Sequence, residues 1–330
     1  MNPYETASSP DSSDSFDDWD VAYPVVPASI PANVQESSLG VHVPIPFPHA
    51  NKPDHFPAFM SRSGLFGVAS NGATAKTTQA KRSIKAQSPY AIQIDGPALA
   101  MADKRAFEAV VRIAKSKHHD LNETLDTSLR EIALEMGIQS HGGSSLASIA
   151  ESLAKLCQTK ISFRMLDKSE HSGHMLATVE THRNGVSIGF DADFVLPAFG
   201  ADRQFQSKPS RRHQIDGSLA QWLHDFFQTH SVSHDLTLGY LRSLCGYASR
   251  DRSFASRLDL AMKCLSQQCP ELVESFGLIK LSRHSNLWTM TVKRGPEAPN
   301  FFNGAPQAPT APVAAQKAAS KAARRRGVAL

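Results

Sequence analysis

Between residues 90 and 295 the apolar positions fall into a pattern that is written twice. Residues 90–94, Tyr-Ala-Ile-Gln-Ile, alternate as a short strand, and residues 98–117 then carry Leu99, Phe107, Val110, Val111 and Ile113 at helical spacing. Thr127 or Ser128 is placed to cap a second helix over 128–137, with Leu129, Ile132, Ala133 and Met136 on one face and Gly137 at its end. Residues 142–158 predict a third helix with Leu146, Ile149, Leu153 and Leu156 inward. Alternating runs at 160–166, 174–182 and 185–191 follow, separated by turn-forming stretches at 167–173 and 183–185, and predict a β-ribbon.

The order then recurs. Residues 217–230 form a helical pattern with Leu219, Trp222, Leu223, Phe226 and Phe227 inward, and residues 236–246 a second, shorter one. Residues 251–268 give a third, with Phe254, Leu258, Ala261 and Leu265 at i, i+4, i+7 and i+11. Residues 277–294 predict a hairpin turning near 283–286. Three helices followed by a β-ribbon is the order of a winged helix, a helix-turn-helix with a wing. The expected fold is therefore α+β, with tandem winged-helix domains at 58–200 and 217–295 joined by a basic connector over 201–216.

Composition changes at both ends. Residues 1–57 are rich in Ser, Asp and Pro and too poor in periodic apolar residues to offset the entropy of ordering, which predicts a disordered acidic head. Residues 296–330 predict a flexible Ala- and Pro-rich basic tail. The formal net charge of +4 hides this asymmetry: residues 1–60 hold eight acids and one base, residues 296–330 five bases and one acid, which leaves +7 for the segment between. A basic middle favours a polyanionic partner. No apolar run approaches the ~18 residues of a membrane span, and the N-terminus lacks a basic region followed by an apolar one, so a cytoplasmic protein is expected. Cys157, Cys245, Cys264 and Cys269 are scattered without zinc-site spacing, and read as reduced, buried thiols; no metal or cofactor is implied.

The third helix of the second unit concentrates the chemistry. In a helix-turn-helix this helix packs one stripe on its neighbours and offers the other to the major groove. Opposite the apolar stripe stand Arg252, Ser253, Ser256, Arg257, Asp259 and Lys263. Arginine forks onto guanine edges or clamps phosphate, serine permits close approach, and lysine supplies a point charge. A solvated face is the plainer explanation for any one such helix. What weighs against it is recurrence: Arg250 precedes the helix, Lys280, Arg283, His284, Lys293 and Arg294 lie on the ribbon, and Arg211 and Arg212 lie in the connector. In the first unit the free side of the third helix carries Ser144, Ser145, Ser148, Ser152 and Lys155, and its ribbon Lys160, Arg164, Lys168 and Arg183, a set suited to phosphates or a protein partner.

Catalysis finds little footing. His171 and His174 lack the His-hydrophobe-His spacing of a metal-dependent DNA-cutting site, no phosphate-binding Gly-rich loop with Lys-Ser/Thr occurs, and the His-Gly-Gly-Ser-Ser run at 141–145 lacks a nucleophile elbow. The chain is expected not to be an enzyme.

Three segments, Ser218–His230, Leu238–Gly246 and Arg252–Leu265, resemble the C-terminal part of the TrfA-like plasmid replication initiators, with their Leu-Ala-x-Trp-Leu-His, Leu-x-x-Leu-Cys-Gly and Phe-x-x-x-Leu-x-x-Ala-Leu-x-x-Leu helices. The Ser61–Phe66 run and the strand and helix over 90–114 resemble earlier parts of that family, so the likeness covers roughly residues 58–295. Met262 departs from it, standing where leucine is usual. The resemblance implies a protein that binds direct repeats (iterons) in double-stranded DNA at a plasmid origin, assists duplex opening, recruits the host initiator and replicative helicase, and is restrained by dimerisation. It puts Arg252, Ser253, Ser256 and Arg257 near the iteron, and makes Trp222, Leu223, Leu241, Leu244, Phe254 and Leu258 scaffold. Leu65 and Phe66 read either as a strap of the first domain or as a peptide docking into a host sliding clamp. The alternative function is a winged-helix transcriptional regulator repressing its own promoter, which would bind an inverted repeat rather than tandem direct ones.

Overall fold

The computed structural model describes residues 44–68, 81–86, 91–139, 142–164, 169–182, 185–200, 204–229, 234–247, 251–280 and 288–295. The head up to residue 43, the tail from 296 and the turn expected near 283–286 lie outside the described residues. In chain order, a leading strap holds β1 (His55–Pro57), a 3-10 turn over Ala58–Met60, β2 (Phe66–Gly67) and β3 (Arg82–Ile84). The first group follows with β4 (Ala91–Asp95), β5 (Leu99–Ala100), α1 (Met101–Ser116), β6 (Thr124–Thr127), α2 (Leu129–Glu135) and α3 (Gly143–Gln158). After it come β7 (Lys160–Arg164), β8 (Glu170–His174), β9 (Leu176–His182) and β10 (Gly185–Phe190). Then α4 (Ala192–Gly200), β11 (Gln204–Gln206) and α5 (Pro209–His213) lead to the second group, α6 (Ser218–Gln228), β12 (His234–Thr237), α7 (Leu238–Leu244), α8 (Asp251–Gln268), β13 (Val273–Lys280) and β14 (Trp288–Arg294).

The two groups share local chemistry as well as order. Helix α2 starts where Ser128 Oγ accepts the Glu131 N–H at 3.1 Å, and α7 where Thr237 Oγ1 accepts the Tyr240 N–H at 3.3 Å, each satisfying one orphan donor of the first turn. Both helices run seven residues and stop at a glycine in the left-handed region, Gly137 at φ +72° and Gly246 at φ +67°. There the residue after the glycine donates back across the last turn, Ile138 to Ala133 O at 2.9 Å and Tyr247 to Arg242 O at 3.0 Å. A residue with a β-carbon would strain that turn.

The sheets repeat in the same way. One three-stranded sheet runs β6-β10-β9 and another β12-β14-β13, all antiparallel, so in each group the strand entering the short helix pairs with the last strand of the ribbon. The ribbon of the first group is narrower than the alternation predicts. Strand β7 leaves it for a separate sheet, β3-β4-β7-β8, and Glu170–His174, of which residues 170–173 are expected in a turn, form β8 by pairing with β7. The Glu-His-Ser-Gly-His sequence of β8 has little strand propensity; its neighbour makes it a strand.

One contiguous apolar core runs from Phe47 to Val292 through both groups. It corrects the boundary of the head: residues 44–57 belong to the fold, with Phe47 and Phe56 buried and β1 paired with β11. Lys115, fully buried on α1, clips this strap down by donating to Lys52 O at 3.2 Å and His55 O at 2.9 Å amid the rings of Phe47, Phe56 and Phe199. The connector is corrected too: Pro209 at the first turn starts α5, in which Arg212 is packed inward while Ser210 and Arg211 stay exposed.

Candidate nucleic-acid interface

Helix α8 is divided along its length. Phe254, Leu258, Met262 and Leu265 are 0% exposed and pack toward α6, α7 and β13, each side chain contributing about 1.5–3 kcal/mol by leaving water. The opposite face presents Arg252, Ser253, Ser256 and Arg257, all exposed, with Leu260 beside them at 65% exposure. Met262, where the resemblance has leucine, is fully buried and fills the same stripe.

The cations of this face differ in how free they are. Arg252 and Arg257 have no ion pair among the described residues. Lys263 lies 2.7 Å from Asp259 one turn earlier, which cancels much of its field. Ser256 Oγ donates to the Arg252 carbonyl at 3.3 Å, so its hydroxyl is parked on its own helix. Arg257 also borders a cleft of about 450 Å³ walled by Ser218, Tyr247 and Leu260. On the ribbon, Lys293 is exposed but held 2.6 Å from Glu274 of the facing strand. Arg250, Arg283 and His284 lie outside the described residues.

In the first group Ser144 and Ser148 are exposed and Ser145 is half-buried at the start of α3, beside a cleft of about 330 Å³ that Arg105 also lines. Ser152, read from the sequence as part of this free face, is instead buried and hydrogen-bonded to Asp103. Lys155 pairs with Glu151 at 2.7 Å, and Arg164, half exposed, stands 4.0 Å from Glu170. The first group thus offers hydroxyls and partnered cations where α8 offers two guanidinium groups with no ion pair among the described residues.

Burial leaves Leu65 and Phe66 the strap and not the docking peptide, and it overturns the expectation that Arg212 contacts DNA. Leu65 and Phe66, 1% and 0% exposed, cannot dock into another protein; β2 pairs in parallel with β5, and Val68 N donates to Cys245 O at 2.8 Å, so this segment straps both groups together. Arg212 cannot reach DNA, because it is 0% exposed. Its neighbour Arg211 does stay on the surface, bonded to Glu271 at 3.2 Å and close to the C-terminus of α8.

Arg212 instead joins a buried ionic cluster that the sequence reading missed. Its Nη2 lies 2.6 Å from Glu108 Oε2 on α1 and its Nη1 2.7 Å from Asp225 Oδ2 on α6. Lys104 Nζ, one turn before Glu108, lies 2.6 Å from the same Asp225 oxygen and 2.8 Å from Ser61 Oγ. Burial alone would push the Asp225 carboxyl up, but the Arg212 and Lys104 cations outweigh it and hold the group well below the usual carboxylate range. Burial works against the Arg212 charge as well, and Asp225 and Glu108 more than restore it. The signal in the sequence is Asp225 itself, a lone carboxylate inside the apolar run Trp222–Phe227, which must meet a buried cation to be tolerated.

No family model matches the chain, and no curated protein does. Among solved structures, two of RctB domains 2 and 3 are similar to it: one at 14% identity over 72% of this chain and 96% of that one with a TM-score of 0.49, the other at 13% over 69% and 94% with 0.47. The Pi initiator protein in complex with iteron DNA is similar at 13% identity over 58% of this chain and 90% of that one, with a TM-score of 0.43.

Proposed function

We propose that the chain is a TrfA-like, plasmid-borne replication initiator that binds tandem direct repeats of duplex DNA at an origin, acting in the cytoplasm by binding and not by catalysis. The observation that carries this reading is the division of α8, where two arginines without an ion pair among the described residues and two short hydroxyl side chains stand opposite a fully buried apolar stripe. Such a helix enters a major groove with its guanidinium groups free for base edges or phosphates.

The repeated unit supports two winged helices, with α2–α3 and α7–α8 as the helix-turn-helix pairs and β9–β10 and β13–β14 as the wings. On this reading the second domain discriminates sequence through Arg252, Ser253, Ser256 and Arg257. The first, with Ser144, Ser145, Ser148, Lys155 and Arg164, tracks the backbone. Duplex opening, recruitment of the host initiator and helicase, and restraint by self-association belong to the same proposal.

Binding of the full chain to duplexes tiled across the DNA flanking its gene, at several salt concentrations, tests it. Tight binding confined to tandem repeats and weakening steeply with salt is expected, since phosphate contacts release counterions. Binding only to an inverted repeat over a promoter would make the protein a regulator instead, and binding that ignores both sequence and salt would end the DNA reading.

A further inference from the structure

We infer that the buried cluster of Lys104, Glu108, Arg212 and Asp225 sets the spacing between the DNA contacts of the two helical groups, with Arg212 as the positioning residue. This rests on the DNA-binding reading above. The four side chains come from α1, α5 and α6, so the cluster sits where the groups meet, and each is 0–1% exposed. Two cations face two carboxylates, and the set is neutral as a whole.

Apolar contact is non-directional and lets packed elements slide by small steps. A forked guanidinium holding one carboxylate from each group does not, because its two short bonds, 2.6 Å to Glu108 and 2.7 Å to Asp225, exist at one relative placement only. A displacement of the groups would leave buried charges unpaired, which is far costlier than never burying them. The strap reinforces the junction: Ser61 accepts from Lys104, and the Arg62 guanidinium donates to Thr229 O at the end of α6. The two DNA-facing surfaces are therefore carried as one rigid ruler, and the site they accept has one length.

The test uses the full chain and a duplex containing its footprinted site, against the same duplex with two base pairs inserted between the contacts of the two groups. Wild type is expected to lose roughly tenfold or more in affinity on insertion, because contact spacing is a geometric requirement. The variant Arg212→Met with Glu108→Gln removes the fork while leaving a neutral Lys104–Asp225 pair. It is expected to bind the original site more weakly and to lose no more than about threefold on insertion. It should also unfold in two calorimetric transitions where wild type shows one. Arg212→Lys keeps the charge but reaches one carboxylate at a time; it is expected to fall between the two and serves as the decisive variant should the double one not fold. A folded variant whose insertion penalty equals that of wild type overturns the inference while leaving the DNA reading intact. A wild-type chain that binds no duplex removes both.

Discussion

Arg212 Nη2 lies 2.6 Å from Glu108 Oε2 although 104 residues separate them, and both side chains are wholly buried. Pairs of this kind contribute little when compared with apolar replacements of equal volume, yet removing one partner strands the other. Arg212→Met alone should therefore cost about 3–5 kcal/mol, whereas the charge-matched Arg212→Met/Glu108→Gln pair should cost distinctly less. Urea unfolding of the three proteins measures the difference, and equal losses would mean that the ion pair is not the source.

On α8, Arg257→Ala should cost about 1–3 kcal/mol of binding to the specific site if its guanidinium reads a base, with a much smaller loss on random duplex. Lys263→Ala, already paired with Asp259, should lower affinity less and equally on both. Leu258→Ala, at a fully buried position, should instead reduce fold stability by about 2–5 kcal/mol. Parallel binding titrations and melting curves separate these effects.

The helices and their inward faces were legible because each carries period, cap and stop: α8 spans Asp251–Gln268 as its spacing predicts, and Ser128 is the cap of α2. What stayed hidden depends on partners distant in the chain. Phe47 and Phe56 sit in a Pro-rich stretch that composition marks as unfolded, and they pack against partners far along the chain, Phe190, Phe199 and Lys115. Arg212 read as one more surface cation in a basic run because nothing local announces Glu108 and Asp225. Arg252 and Arg257 were legible as exposed, but the pairing that neutralises Lys293 appears only once β13 and β14 are in register.

Both short helices depend on one hydroxyl. Ser128→Ala should destabilise the fold by about 1 kcal/mol, and Thr237→Ala by a comparable amount, since each frees a first-turn N–H. Ser128→Asp should retain most of the stability. Chemical denaturation reads all three, and an unchanged midpoint in Ser128→Ala would mean that the cap is dispensable.

Lys115 makes stability depend on alkaline pH. Burial lowers its pKa to about 8 from 10.5, with Asp54 opposing the shift weakly. Between those values the native state binds fewer protons than the unfolded chain, so this group makes stability rise with pH across that window, by at most about 3 kcal/mol. Below pH 8 the buried ammonium is carried at its full cost, moderated by its two carbonyl acceptors. Unfolding free energies from pH 7.5 to 10 should climb more steeply in wild type than in Lys115→Met; identical slopes would place the titration elsewhere.

Whether α8 carries the chain onto tandem repeats is decided by hydroxyl-radical footprinting of the full chain on the DNA flanking its gene. Identical protections repeated in one direction at a fixed period are expected, lost together in Arg252→Ala/Arg257→Ala. A single two-fold-symmetric footprint, or protections that survive the loss of both arginines, would contradict it.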